Sequence, residues 1–80
     1  MKDEYLLLTE AGEVLGLRIH ETFNYFNING FEIYYFGKAK CVRKIDFIEY
    51  VISNNILSKE ELAQKMKKAR EKVLKNKNSL

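Results

Sequence analysis

Most of the cationic side chains in residues 1–58 are concentrated in one short segment. Four of the six fall between positions 38 and 44, as Lys38, Lys40, Arg43 and Lys44. Basic residues this close together can neutralise neighbouring phosphates of a nucleic-acid backbone. Lys38 and Lys40 are two positions apart, so in a strand both would point to one side. The alternative is an edge hairpin that its lysines protect from aggregation. We favour contact with phosphates or with the minor groove.

A second group of polar residues lies upstream of this basic segment and could read the edges of bases. Asparagine can form a bidentate pair with adenine, and arginine can bind guanine or a phosphate. The residues of this group are Arg18, His20, Asn24, Tyr25 and Asn27. The alternative is the ordinary polar face of a helix packed on a core. His20 is expected to be solvated or close to a phosphate rather than to act as a pH switch or a metal ligand.

The sequence contains no arrangement of residues that is typical of an enzyme. It lacks a glycine-rich phosphate loop, a nucleophile paired with a base and a cluster of metal ligands. Cys41 is the single cysteine, so it cannot form an internal disulfide, and the single histidine excludes a Cys/His zinc site. We expect Cys41 to be a small semi-buried strand residue, and we expect neither catalysis nor a cofactor.

The polar group upstream must be positioned by two short helices. A first helix is predicted over residues 9–15, with Thr9 as its N-cap and a glycine after its last residue. Ile19, Phe23 and Phe26 then recur at helical spacing, which predicts the buried face of a second helix. Two short helices joined by a tight turn containing glycine are the sequence form of a helix-turn-helix.

The dipeptide Asn29-Gly30 decides where the second helix ends. Asn-Gly between alternating apolar residues is a strong signal for a β-hairpin turn. The helical pattern runs up to this dipeptide, however, and a complete hairpin follows it. We therefore expect Asn29-Gly30 to end the helix in a left-handed conformation. The alternative, an early hairpin, would shorten the helix and displace Asn24 and Asn27.

The basic segment is predicted to lie on a β-hairpin that precedes a third helix. A strand over Phe31–Phe36, a turn at Gly37-Lys38 and a strand over Ala39–Arg43 form the hairpin. The aromatic side chains of the first strand are expected in the core, and the alternative is a platform on which single-stranded bases stack. Asp46, with a glutamate three positions later, resembles a capping box and predicts the start of the third helix.

The C-terminal part is predicted to form a basic amphipathic helix. Ser58 with Glu61 forms a second capping box, which begins a helix of about Lys59–Lys75, and the last residues should fray. The apolar stripe of this helix consists of Leu62, Met66, Ala69 and Val73. We prefer packing onto the rest of the chain, or onto a partner helix, to a coiled coil or a basic arm near DNA. The domain prediction is 1–55 for the body and 56–80 for this helix and tail.

The charge of the chain is divided unequally along its 80 residues. Residues 1–58 carry six Lys and Arg against eight Asp and Glu, a net charge of −2, whereas residues 59–80 carry eight against three, a net charge of +5. The basic pI is thus made by the tail, and it does not by itself indicate a nucleic-acid binder. No apolar run approaches the ~18 residues that indicate a membrane span, and residues 1–4 do not resemble a signal peptide. We expect a cytoplasmic protein without a membrane partner.

The predicted order of elements, together with two sequence segments, resembles the excisionase-like winged helix-turn-helix domains of the MerR-related superfamily. The segments are LLLTEAGEVLGL, for the first helix and turn, and YFGKAKCVRKIDFIEYV, for the wing and third helix. The resemblance covers residues 5–52. It implies a small α+β winged helix-turn-helix, here with an added C-terminal helix, in which the second helix reads the major groove and the wing contacts flanking DNA.

The family resemblance also implies a function. Members are mostly small bacterial, phage or mobile-element proteins that bind double-stranded DNA, either to direct recombination toward excision or to regulate transcription. We therefore expect a nucleoid-associated DNA-binding protein, with an integrase or recombinase as a further partner and self-association on DNA or through the C-terminal helix. The alternative, suggested by the acidic body, is a protein-interaction module that inhibits or recruits a host protein.

Overall fold

The computed structural model describes the backbone of residues 4–78 and the side chains of residues 4–73. The described part is an α+β fold with four helices and a three-stranded antiparallel sheet. In chain order the elements are β1 (Tyr5–Leu7), α1 (Leu8–Leu15), α2 (Ile19–Ile28), β2 (Tyr34–Phe36), β3 (Ala39–Arg43), α3 (Lys44–Ser53) and α4 (Lys59–Asn78).

The sheet has the order β1-β3-β2, so the central strand is β3. The sequence did not predict β1, because three residues within a continuous leucine run show no strand alternation. This strand forms by pairing with a distant partner, with Leu6 opposite Val42 and Leu7 opposite Cys41. Pairing turns Leu6 and Val42 into the core, where they are 5% and 0% exposed. A long-range contact therefore decides the structure of this segment.

Helix α1 begins earlier than predicted. Its N-cap is Leu7 rather than Thr9, because β1 runs directly into the helix. The carboxylate of Glu10 accepts a hydrogen bond of 3.3 Å from the Leu7 backbone N–H, which supplies half of a capping box without a capping side chain. The helix ends at Gly16, whose φ of 73° is left-handed, as the position of a glycine after the predicted helix suggested.

Helices α1 and α2 approach closely at Gly12 and Thr22. A Cβ at Gly12 would collide with Thr22 Oγ1, so only glycine allows this contact. Thr22 is 2% exposed and donates a 2.7 Å hydrogen bond to the carbonyl oxygen of Arg18. The prediction that Ile19 belongs to the buried face was wrong, since its side chain is 76% exposed. Ile19 lies on the same helix face as Phe26, but it is the first residue of α2, and the core does not extend to this end of the helix.

The end of α2 confirms the helix-terminating role of Asn29-Gly30. Asn29 is the C-cap and Gly30 follows with a φ of 79°. Gly30 N–H donates to Asn27 O at 3.3 Å, and Phe31 N–H donates to Phe26 O at 3.0 Å. This is the Schellman pattern. The hydrophobic contact that usually accompanies it is present between Phe26 and Phe31, whose ring centroids lie 4.8 Å apart.

The hairpin of β2 and β3 turns at Gly37-Lys38, as predicted, with Gly37 at a φ of 63°. Its first strand is shorter than the predicted Phe31–Phe36, because residues 31–33 lie before β2. The prediction that this aromatic stretch enters the core was wrong for Tyr35 and Phe36, which are 60% and 51% exposed. β2 is an edge strand, so its side chains have a neighbouring strand on one side only.

The N-cap of helix α3 lies three residues before the predicted N-cap, Asp46. Its N-cap is Arg43, so Asp46 lies in the first turn and does not form the predicted capping box with Glu49. The chain passes from β3 into α3 without a loop, and the Lys44 N–H donates a 2.9 Å hydrogen bond to Glu4 O beside β1. The acidic side chain of Asp46 is favourable near the helix N-terminus because of the helix dipole.

Helix α4 begins at the predicted capping box. Ser58 N–H donates to Glu61 Oε1 at 3.1 Å, and Glu61 N–H donates to Ser58 Oγ at 3.2 Å. The backbone and side-chain hydrogen bonds from Ser58 lower the pKa of Glu61. The helix extends to Asn78, and the last two residues of the predicted frayed tail, Ser79 and Leu80, lie outside the described residues.

The apolar stripe of α4 packs back onto the rest of the chain, chiefly against α1, which confirms the preferred prediction for the tail. Leu62 and Ala69 are 3% and 4% exposed and belong to the same core as α1, α2, α3 and the sheet. The Lys72 ammonium lies 3.2 Å from Glu13 Oε2, which links α4 to α1 at the surface. The centre of the core is formed by Phe26, Phe47, Val42 and Val51.

Candidate nucleic-acid interface

Helix α2 presents a polar face to solvent. Because Thr22 and Phe26 turn inward, His20, Asn24 and Asn27, at helical i, i+4 and i+7 spacing, turn outward and are exposed. The helix has 10 residues, which gives it a length of about 15 Å. The structure thus brings these three sequence-predicted residues together on one uncovered helix surface.

Arg18 lies at the N-terminal end of this surface. Its backbone is fixed because its N–H donates a 3.1 Å hydrogen bond to Glu21 Oε1 and its carbonyl oxygen accepts the Thr22 hydroxyl. The Arg18 side chain itself is exposed, as is Glu21. One cation and one anion therefore stand side by side at the start of α2, and the helix supplies little net positive charge of its own.

The hairpin brings a further cation onto the α2 surface. Lys40 Nζ lies 4.6 Å from the centroid of the Phe23 ring, a cation–π geometry. Phe23 precedes Asn24 by one residue and Asn27 by four, so Lys40 is next to the polar face of α2. Lys38 occupies the hairpin turn and is exposed. Lys40 and the polar face of α2 thereby form one surface built from separate elements, here called the α2–hairpin surface, and Lys38 lies two residues from Lys40 along the hairpin.

Arg43 and Lys44 lie apart from the α2–hairpin surface. Strand alternation places Arg43, three residues beyond Lys40, on the opposite face of the sheet, where it is half-buried. Lys44 begins α3, and its ammonium lies 3.1 Å from Glu4 Oε2, which offsets its charge. The cationic segment that looked continuous in the sequence is therefore divided between two sides of the molecule.

Tyr25 faces α3 rather than the polar face of α2. Its hydroxyl lies 2.7 Å from that of Tyr50, and Tyr50 donates a longer hydrogen bond of 3.4 Å to Asn29 Oδ1. The rings of Tyr25 and Tyr50 meet edge to face, with centroids 6.4 Å apart. Burial, followed by the hydrogen bond and the charge of Tyr50, raises the pKa of Tyr25 to about 12. The Tyr25 hydroxyl thus helps to hold the end of α2 against α3.

This raised pKa predicts a loss of stability in alkali. The ordinary pKa of tyrosine is 10.0, so the unfolded chain releases the Tyr25 proton at lower pH than the folded chain does. The stabilising contribution is complete below pH 10 and is lost as the pH rises toward 12. Urea denaturation across this pH range should show a shallower alkaline decline for Tyr25→Phe than for the parent. Tyr35→Phe, an exposed control, should keep the parent slope, and an unchanged slope for Tyr25→Phe would contradict the assignment.

Sequence reasoning missed the exposure of several apolar side chains. Ile19 and Ile28 are 76% and 75% exposed, one at each end of α2. Tyr5, 39% exposed, forms edge-to-face contacts with Tyr34 and Phe36 on the outer face of the sheet, with ring centroids 5.2 and 5.0 Å apart. The exposed end of β2 could have been inferred from its edge position, but the contact to Tyr5 required knowledge of β1.

Cys41 is 5% exposed, and burial, with a smaller contribution from the charge of Glu10, raises the pKa of its thiol. Within the described residues, no three His, Cys, Asp or Glu side chains are grouped to hold a metal ion. No helix in residues 4–78 combines the length and apolar composition that crossing a membrane requires.

Comparison with models of known protein families, with curated proteins and with solved structures gives no match to this chain.

Proposed function

We propose that this chain is a sequence-specific double-stranded DNA-binding protein with a winged helix-turn-helix, in which α2 enters the major groove and the β2–β3 hairpin contacts the flanking backbone or minor groove. The observation that carries the proposal is the contact of Lys40 with Phe23, which joins a hairpin cation to the polar face of α2. Direct base readout and phosphate contact require such a combination, since amides specify bases and cations hold the backbone.

In this proposal each exposed residue has a separate role. Asn24 and Asn27 pair with the edges of adenines, while His20 and Arg18 contact phosphate or, for Arg18, guanine. Lys38 and Lys40 neutralise backbone phosphates beside the major groove. A helix of about 15 Å fits a major groove about 12 Å wide when its axis follows the groove. Tyr25, Arg43 and Lys44 would act by holding the surrounding elements or by touching DNA beyond this surface.

The biological setting follows from the resemblance of the sequence to excisionase-like domains. We infer a phage or mobile-element factor that either bends DNA and recruits an integrase for excision or regulates transcription from the nucleoid. Both roles use the same DNA contacts, so they differ in the partner rather than in the α2–hairpin surface. Loss of excision, with transcription unchanged, upon removal of the protein would support the excisionase role.

The lysines of the hairpin are expected to set the salt dependence of binding. Each neutralised phosphate contributes about 0.9 to the slope of log K against log salt, so Lys38→Ala with Lys40→Ala should reduce the slope by about 1.8. The slope is measured by fluorescence anisotropy at several salt concentrations, with DNA duplexes taken from the genomic neighbourhood of the gene that encodes this protein. Lys65→Ala with Lys68→Ala, an equal loss of charge on the exposed surface of α4, should leave the slope closer to that of the parent. Equal losses in both double variants would contradict the assignment.

Asn24 is expected to set base preference rather than affinity for all duplexes. Asn24→Ala should cost about 1–3 kcal/mol on the preferred duplex and little on random duplex. Gln64→Ala, which removes an exposed amide from α4, is the matched control and should change the affinity for neither duplex. Equal losses on both duplexes for Asn24→Ala would remove Asn24 from base reading.

A second candidate function is a protein-interaction module that inhibits or recruits another protein. The observation that favours it is the exposure of Ile19 and Ile28, 76% and 75%, at the two ends of α2. Large exposed apolar side chains are typical of protein interfaces. Absence of duplex binding even at low salt would exclude the DNA proposal and leave this one.

A further inference from the structure

A groove opens on a part of the surface that the proposed DNA contacts do not use. It has a volume of about 740 Å³ and lies between β1, α3 and α4. Neither α2 nor the hairpin turn contributes to it. Leu6 and Leu62 in its lining are buried, and its other large aliphatic side chains are half-buried. The apolar lining includes Leu7, Ile48, Ile52, Leu62, Met66 and Val73.

The rim of the groove is positively charged. Lys59, Lys67 and Arg70 lie on the same side of α4 as Met66, at helical spacing. Within the described part of the chain, these three cations form no hydrogen bond or ion pair.

The acidic side chains of the groove, in contrast, have partners. Glu4 lies 3.1 Å from the Lys44 ammonium, and Glu10 accepts the N–H of Leu7. Glu10 keeps its negative charge, but the lining of the groove has two acidic and four basic residues, so its net charge is +2. An apolar floor beside unpartnered cations is complementary to an apolar surface flanked by carboxylates.

We propose that this groove binds an acidic amphipathic helix of a partner protein. The apolar side chains of the helix would occupy the floor, and its Asp and Glu would meet Lys59, Lys67 and Arg70 on the rim. The α4 face from Lys59 to Val73 is about 21 Å long, which matches a partner helix of about 14 residues. A DNA backbone would satisfy the cations but leave the apolar floor exposed to water. The inference does not depend on DNA binding, since the two surfaces share no residue.

The proposal is tested with two labelled synthetic peptides of about 14 residues, long enough to cover this face. Both carry leucines at i, i+4, i+7 and i+11 spacing, and the other positions are mainly Glu in one and mainly Lys in the other. Anisotropy titration of the full chain should show binding of the Glu peptide and affinity at least about tenfold weaker for the Lys peptide. Equal affinity for both, or no binding of either, would overturn the proposal.

Two variants and a matched control assign the binding to the groove. Lys67→Glu with Arg70→Glu should reduce the affinity for the Glu peptide at least about tenfold. The matched control is Lys65→Glu with Lys68→Glu, on the side of α4 away from the groove, and it should reduce this affinity much less. All four residues are exposed, so both double variants should fold, as circular dichroism can verify. Met66→Gln tests the apolar floor and should also weaken binding. Equal losses in the two charge-reversed proteins would overturn the proposal.

A second copy of the chain is the competing occupant. Sedimentation equilibrium of the protein alone should show a monomer, and a dimer that Met66→Gln dissociates would overturn the proposal. Titrating the groove variants with DNA duplexes tests the DNA-binding proposal separately from the peptide-binding proposal. Loss of DNA binding in Lys38→Ala with Lys40→Ala, with peptide binding retained, would show that the two surfaces act independently.

Discussion

Replacing Phe47 by alanine is expected to lower the free energy of unfolding by about 3–5 kcal/mol. Phe47 is 0% exposed, and its ring centroid lies 5.9 Å from that of Phe26. The Phe26 ring in turn contacts Phe31. Truncation removes apolar surface from the core and leaves a cavity between α2 and α3 that these neighbours fill only in part. A domain of this size has a total stability of about 5–15 kcal/mol, so the variant should lose a large fraction of it and unfold at a much lower urea concentration.

The matched control for this prediction is Phe36→Ala. The chemical change is the same, but Phe36 is 51% exposed and its nearest described ring contact is Tyr5, with centroids 5.0 Å apart. We expect a loss of about 1 kcal/mol, from the aromatic pair and the partial burial. Urea denaturation followed by circular dichroism measures both. Similar losses for the two variants would show that Phe47 does not have the central position described for it.

Removal of α4 is expected to prevent cooperative folding of the remaining chain. Leu62 and Ala69 are 3% and 4% exposed in the same core as α1, and the deletion would uncover the side of α1 on which they pack. A body of fewer than about 60 residues would then have to fold with a smaller core, which is marginal at this size. A chain ending at residue 58 should show a broad thermal transition without a defined baseline. A sharp transition near that of the full chain would support the division of the chain at residue 55 into separate units.

Two neighbouring substitutions test the same packing without deletion. Leu62→Asp buries a carboxylate against α1 and should cost at least about 3 kcal/mol. Ala63→Asp places the same group on the next residue, which is exposed, and should change stability by no more than about 1 kcal/mol. Comparable losses from the two would mean that helix propensity rather than burial controls the contribution of α4.

Local chemistry explains which features could be predicted. Gly30 ends α2 because only glycine adopts a φ of 79° without cost, and Gly37 allows the hairpin turn for the same reason. Ser58 and Glu61 satisfy each other's backbone N–H groups wherever the following residues are helical. Each of these signals depends on residues that are close in the sequence, so no knowledge of the fold is needed to interpret them.

The errors share a different cause. Helical spacing placed Ile19 in the core, on the same face as Phe26, but Ile19 is the first residue of α2, and the core does not extend to that end of the helix. The candidate surface was likewise only partly predictable: Asn24 and Asn27 share one helix face by their spacing alone. The contact of Lys40 with Phe23 depends on how the hairpin packs against α2.

The sequence by itself therefore determined the C-terminal ends of α1 and α2, the start of α4, the hairpin turn, the apolar stripe of α4 and the separation of charge between residues 1–58 and 59–80. Tertiary structure decided the existence of β1, the starts of α1 and α3, the exposure of Ile19, the division of the cationic segment between two sides of the molecule, and the groove beside α4. The physical reason is the range of the interactions. Capping, turns and helical periodicity act within a few residues, whereas strand pairing and close helix packing join residues that are far apart in the chain.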